Sequence, residues 1–340
     1  MSRLTIKDIA KLCGVGTSTV SRAINDDPGI NQKTKEKVLA VIKEYNYIPN
    51  NSAVNLKKSD SNNVAVLVKG RNNPFFQSMY SVFETELQKY EYTFTMREVG
   101  AYEDELRIAE ELIREKRLKG LIFLGGMVED ADIRLKSIDI PTVLCTVAVS
   151  TKSTEHSIVT IDDVEESEKA VSYLCDKGHR RIAMITGVRS DNGIGSLRLK
   201  GYKQALEKHG IDFEDDLVIN MDDDIPDYSY ENGYTVTKKL LESGVEFTAL
   251  FAASDTTAFG AYRAILESGK RIPTDISVIG FDGIDMCEYM YPSLTTIRQP
   301  GEKMAKEAVR LLHQKIEGNS EVKQTIFEAD LLEKESVLSL

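Results

Sequence analysis

Side chains able to carry a proton or hold a metal are scattered through this 340-residue chain, whereas its hydrogen-bonding side chains are grouped. Cys13, Cys145, Cys175 and Cys287 form no CxxC, and His156, His179, His209 and His313 show no ligand spacing. Neither a disulfide framework nor a metal site is expected. The first apolar run of the larger part, VAVLVKGRNNPFF, leads into no GxGxxG, no Walker sequence occurs, and Gly193 and Gly195 alone are weak. No carboxylate and histidine form a nucleophile–base set, so no cofactor and no enzymatic activity are expected. By contrast, Thr17, Ser18, Ser21, Arg22 and Asn25 share one side of a helical period, with Thr5 opening the helix before them. Hydroxyls, an amide and a guanidinium so placed bond phosphate oxygens and base edges in a major groove.

Two short helices must carry these groups. In TIKDIAKLCGVGTSTVSRAIN, residues 5–25, Thr5 and Asp8 have capping-box spacing, and Ile6, Ile9 and Ala10 lie on one face. Gly14 ends the first helix in a left-handed conformation, and Val20 and Ile24 point the second one inward. A third helix starting at Asn31 brings Val38, Leu39, Val41, Ile42 and Tyr45 to the same core. The spacing alone fits any small helical hairpin, and charge argues for DNA. Residues 1–58 hold ten Lys or Arg against five Asp or Glu, a net +5, and the whole-chain net of −11 leaves −16 beyond them. A basic head on an acidic body confines phosphate attraction to the head.

Residues 46–62, NYIPNNSAVNLKKSDSN, read as a linker whose short helix after Asn50 or Asn51 is too small to be stable alone. From residue 64 apolar runs alternate with amphipathic helices. Strands are expected at 64–68, 93–99, 121–124, 142–145, 157–161, 182–185, 249–252, 277–281 and 294–298, with helices between many of them. The fold expected is an all-α helix-turn-helix head plus an α/β body of two doubly wound parallel-sheet lobes. Phe75 and Phe76 follow the first strand, and Asp255 follows the strand at 249–252. Both places lie at the carboxyl ends of strands, where open α/β sheets bind ligands, although Asp255 also suits a helix cap and Phe76 a core.

The stretches TIKDIAKLCGVGTSTVSRAIN and TKEKVLAVIKEYNYIPN, with Ala53, Leu56 and Lys57 after them, resemble the DNA-binding head and hinge of the lactose-repressor (LacI/GalR) family. The segment SVIGFDGIDMCEYMYPSLTTIRQP resembles that family's closing signature. The resemblance implies a sequence-specific transcriptional regulator, a repressor, bound as a homodimer to a palindromic operator in double-stranded DNA and controlled by a sugar-like effector between two periplasmic-binding-protein-like lobes. It implies that Leu56 wedges between base pairs from the minor groove with Lys57 beside it, that Arg198 contacts the effector, and that Tyr228 stacks on it. Asn192, on the loop before Arg198, is a further candidate. Thr146 stands where the family commonly has a carboxylate, and the GVRSDNGIGS and MDDDIPD segments also depart from its usual forms, so the effector stays open among a sugar, a sugar phosphate, a nucleobase and no small ligand at all.

The expected division is 1–48 head, 49–62 hinge and 63–340 body, with one lobe at 63–161 and 293–323 and the other at 162–292 and 324–340. With no signal peptide and no apolar run of membrane-span length, a cytoplasmic location is expected. With no heptad helix after the last strand, a dimer is expected rather than a tetramer. A solute-binding protein would leave the basic head unexplained, and a nucleotide-using enzyme would lack its phosphate-binding glycines.

Overall fold

The computed structural model describes residues 6–24, 29–45, 62–70, 73–100, 103–128, 131–149, 155–188 and 193–340. Thr5, Asn25, Ala53, Leu56, Lys57 and Asn192 lie outside the described residues, as does the expected hinge helix. The chain divides into two compact units, Met1–Ser61 and Asn62–Leu340.

In the head, α1 (Ile6–Cys13), α2 (Thr17–Ile24) and α3 (Gln32–Glu44) close over Ile9, Ala10, Cys13, Val20, Ala23 and Val38. Gly14, at φ +65°, ends α1: its N–H bonds Lys11 O at 3.1 Å while Val15 N bonds Ala10 O at 3.0 Å. That pair of bonds is a Schellman closure, and it places Val15 against the core at the corner between the helices. The Asn31 side chain accepts from Lys33 N and starts α3 as expected. Leu39 and Tyr45, expected inward, are exposed, because α3 turns only Val38, Val41 and Ile42 toward so small a core.

The body has two six-stranded sheets. Its strands in order are β1 (Asn63–Lys69), β2 (Thr93–Val99), β3 (Gly120–Leu124), β4 (Met127–Val128), β5 (Thr142–Cys145), β6 (Ala148–Val149), β7 (Ser157–Ile161), β8 (Ile182–Thr186), β9 (Val218–Asn220), β10 (Ala249–Ala252), β11 (Ser277–Asp282), β12 (Thr295–Arg298), β13 (Gln324–Phe327) and β14 (Asp330–Leu332). The first sheet runs β13-β7-β5-β3-β1-β2, all parallel, and the second β14-β12-β11-β10-β8-β9, parallel except at β14. Apolar runs such as GLIFL and ALFA are buried along their whole length because helices cover both faces. Val64, Val66 and Val68 of β1 enter one core while Ala65 and Leu67 enter another. Helices start where polar side chains cap them: Asn73, Asp104, Asp162, Ser229 and Ser254 each accept a backbone N–H of the first turn.

The partition into lobes differs from the expected one at the carboxyl-terminal end. β12 pairs with β11 in the second sheet, and β13 pairs with β7 in the first. The chain therefore crosses between sheets after β7, after β12 and between β13 and β14. All three crossings are fastened to the second lobe. Asp162 caps the helix Asp163–Asp176, and Gln299 N bonds Asp282 O at 3.1 Å. Ala329 N donates to Glu166 Oε1 at 2.9 Å while Lys169 Nζ donates to Ala329 O at 2.8 Å.

Candidate functional site

The two sheets adjoin where Asn73, just after β1, meets Asp282, the last residue of β11. Asn73 Oδ1 accepts from Phe75 N at 3.0 Å and caps the helix Pro74–Gln88, while its Nδ2 donates to Asp282 Oδ2 at 2.9 Å. Gln299 Nε2 donates to Asp282 Oδ1 at 2.8 Å. Asp282 has φ +117°, a conformation costly for a residue with a Cβ. Neighbouring groups on both lobes hold it there, as they hold strained residues at functional sites.

Arg198 enters from the helix Ile194–Lys208 and is 5% exposed. Its Nε donates to Asp163 Oδ1 at 2.9 Å, its Nη1 donates to Ala253 O and lies 3.8 Å from Asp282 Oδ1, and its Cζ stands 3.6 Å over the Phe281 ring. Burial works against the guanidinium charge, but the Asp163 and Asp282 carboxylates more than offset it and hold the proton more firmly. Burial pushes the Asp163 and Asp282 carboxyls above their ordinary range, against the pull of Arg198. Arg198, reached from family resemblance, is thus the hub of the site.

Asp255 does not face the cleft as expected. It is fully buried: Oδ2 accepts from Gly283 N at 2.7 Å and Ile284 N at 2.9 Å, and Oδ1 from Thr296 Oγ1 at 2.6 Å. A Cβ on Gly280 would sit 2.3 Å from Asp255 Oδ1, so the carboxylate lies against β11, and it is Ser254 that caps the helix. Burial first, then the neighbouring Asp282, push the Asp255 carboxyl up to about 7. The carboxylate that meets Asn73 and Arg198 is Asp282. The available signal was its place at the end of the apolar run SVIGF, beside Gly283.

Phe75, 4% exposed, is a core residue packed on Met79 and Gly301. Phe76 is half-buried, with its ring against Gly70 and Gly125 at the ends of β1 and β3. Of the two, Phe76 stands at the carboxyl edge of the first sheet. Tyr228 is half-buried at φ +52°, its carbonyl accepting from Thr256 Oγ1 at 2.5 Å. Thr146 is buried and accepts from Gly125 N at 3.1 Å. In the head, Thr17, Ser18 and Arg22 are exposed on α2 opposite the buried Val20 and Ala23, and Ser21 is half-buried.

The sequence profile of the bacterial regulatory proteins of the lacI family matches residues 5–50, and that of the periplasmic binding protein-like domain matches residues 171–337. The HTH-type transcriptional regulator MalR of Clostridium butyricum is 40% identical over 99% of this chain and 100% of its own length. The chain belongs to the lacI family of bacterial regulatory proteins. The ribose operon repressor of Haemophilus influenzae is 34% identical over 99% of both chains. Among solved structures, the lac repressor dimer bound to operator and the anti-inducer ONPF aligns with a TM-score of 0.74 at 26% identity, covering 99% of this chain and 100% of that one. The transcriptional regulator CelR–cellobiose complex aligns with a TM-score of 0.72 at 29% identity, covering 98% and 100%. As a lacI family member, the chain is a DNA-binding transcriptional regulator under effector control and not an enzyme. Among the described residues no helix is long and apolar enough to cross a membrane.

Proposed function

We propose that this lacI family member is a cytoplasmic repressor that binds a palindromic operator as a homodimer and responds to a sugar or sugar derivative bound between its lobes. The observation that carries the reading is the buried Asp163–Arg198–Asp282 network meeting Asn73 across the lobes. Carboxylate, guanidinium and amides converging beside the aromatic rings of Phe76 and Tyr228 suit hydroxyl recognition with stacking on an apolar ring face. The exposed Met286, Tyr289 and Tyr291 support an interface between two copies. In this reading α2 reads the major groove through Thr17, Ser18, Ser21, Arg22 and Asn25, while Thr5, Ala53, Leu56 and Lys57 complete the contact. The lobe angle sets whether the two hinges, residues 49–62, fold on DNA. The coupling is reciprocal, so operator changes effector affinity by the factor by which effector changes operator affinity. Fluorescence anisotropy on operators drawn from the protein's own promoter region, with and without a panel of sugars, tests it. A panel in which no compound shifts operator affinity would remove the sugar reading.

A further inference from the structure

Residues 221–227, MDDDIPD, cross the second sheet at the carboxyl ends of its strands. The crossing starts at the end of β8, where Met221 N bonds Thr186 O and Gly187 O at 3.3 Å each, and finishes beyond β10, where Tyr228 O accepts from Thr256 Oγ1. Both ends belong to the frame of Arg198. Thr186 Oγ1 donates to Gly195 O at 2.9 Å in the helix that carries it, and Ala253, between β10 and Thr256, supplies the carbonyl that its Nη1 reaches. The middle of the crossing is held from inside by one side chain. Asn232, in the first turn of the helix Tyr230–Glu242 and 0% exposed, accepts from Asp222 N at 2.9 Å through Oδ1, while its Nδ2 donates to Asp222 O at 2.9 Å and to Ile225 O at 3.2 Å. A side chain early in a helix leans toward the N-terminus, which is where this loop lies. From outside, Lys239 Nζ pairs with Asp222 Oδ2 at 2.7 Å, but that lysine is exposed and water screens the pair.

The loop delivers Tyr228 at φ +52°, a conformation uncommon for a residue with a Cβ, and its N–H meets Met221 Sδ at 3.2 Å. Such a conformation persists where the surroundings over-determine it. Asn232 supplies that constraint on both sides: it bonds residues 222 and 225 ahead of Tyr228, and its own N–H donates at 3.1 Å to Oγ of Ser229, the residue after it. From this geometry we infer that Asn232 is the positioning residue of the effector site, its buried amide holding the loop, and through it the Tyr228 ring, in place before any ligand arrives. The inference rests on the effector reading above and deepens it. A ring held in advance stacks on a ligand without the cost of being ordered, so part of the affinity resides in a side chain too deeply buried to touch the ligand.

The chain contains no tryptophan, so Tyr228→Trp in the full chain places a single indole at this position. Without ligand, its time-resolved fluorescence anisotropy is expected to decay with the tumbling of the body alone. Adding Asn232→Leu is expected to introduce a faster nanosecond component, and adding Lys239→Ala is not. Asn232→Ser, smaller and still polar, serves the same comparison where leucine prevents folding. Quenching of the indole by ribose, glucose or cellobiose reads ligand binding, and loss of one preset ring contact is expected to weaken it about tenfold in the Asn232 variants. An indole as restrained in those variants as with Asn232 intact overturns the inference, and so does an unchanged sugar affinity. Equal loosening by Lys239→Ala assigns the loop to the exposed ion pair instead. If none of the sugars quenches while the restraint is lost as expected, the positioning of Tyr228 stands and the sugar reading falls.

Discussion

Asn73 and Asp282, 209 residues apart in sequence, are joined by a hydrogen bond from Nδ2 to Oδ2 at 2.9 Å. Through its other side-chain atom Asn73 also caps the helix Pro74–Gln88, so one residue both starts a helix of the first lobe and touches the last residue of β11 in the second. The two roles separate by substitution. Asn73→Asp keeps an oxygen for the cap but sets a carboxylate against Asp282. The helix cap itself should be kept within about 1 kcal/mol, while repulsion between the two carboxylates should make small-angle scattering report a more open body. An unchanged radius of gyration would show that the bond does not hold the lobes together.

Arg198→Ala leaves Asp163 and Asp282 buried without their cation. Removing one partner of a buried pair costs about 3–5 kcal/mol, so the variant should melt well below wild type in the body transition. Effector response should be lost with it. A melting temperature within a degree or two of wild type would mean that water enters the site freely and screens the carboxylates.

On the head, Arg22→Ala should weaken the best operator by about 1–3 kcal/mol and flatten the preference at one base position, as loss of a base-edge contact does. Competition binding against randomised sites measures this. Equal losses on operator and random DNA would assign Arg22 to phosphate instead.

The pH dependence of stability has two opposed contributions. The folded state raises the Asp255 carboxyl from its ordinary value to about 7, so it binds that proton more tightly than the unfolded chain does. The stability contributed is fully present below the unfolded value near 4 and is lost as pH rises through about 7. Asp255→Asn should therefore melt with a flatter profile between about pH 4 and pH 7. A variant profile parallel to wild type would show that Asp255 does not titrate there.

His179 acts in the other direction. Buried, with Nδ1 2.9 Å from Thr248 Oγ1 and Nε2 3.1 Å from Leu338 O, it is held neutral, and burial lowers its affinity for a proton. Its contribution is present above the ordinary histidine value and lost as pH falls through the depressed one. Relative to His179→Gln, wild type should lose stability more steeply on acidification below about pH 6.5. Hydrogen exchange at Leu338 and Leu340 should rise first, because the carboxyl-terminal residues hang on that ring and on Lys177 O.

Much of the fold was legible in the sequence because it rests on local rules. The apolar runs buried on both faces, the capping residues and the glycine closing α1 are all set within a few residues. Arg198 was reached through family resemblance, and Leu56 rests on the same ground. The edge strands β9, β13 and β14 are short and half-exposed, so their periodicity is no different from that of loops. Asp255 and Asp282 could not be ranked, since both follow an apolar strand. What separates them is the backbone turn at Asp282 and the N–H groups of Gly283 and Ile284, which draw the Asp255 carboxylate behind β11. That is a tertiary outcome with no periodic trace. The exchange of β12 and β13 between sheets is likewise decided by pairing partners far away in the chain.

Two rigid bodies on a single tether have several rotations open to them, and a ligand gripping both would lose much of its binding free energy in freezing those rotations. Here three connecting segments pass between the lobes, and each is anchored at its second-lobe end by Asp162, by Gln299 or by the Glu166 and Lys169 side chains on Ala329. Bending beyond those anchors is the motion that survives. The switch thus has one mechanical coordinate, and ligands of different shapes can be read by the same head so long as each sets a different value of that angle.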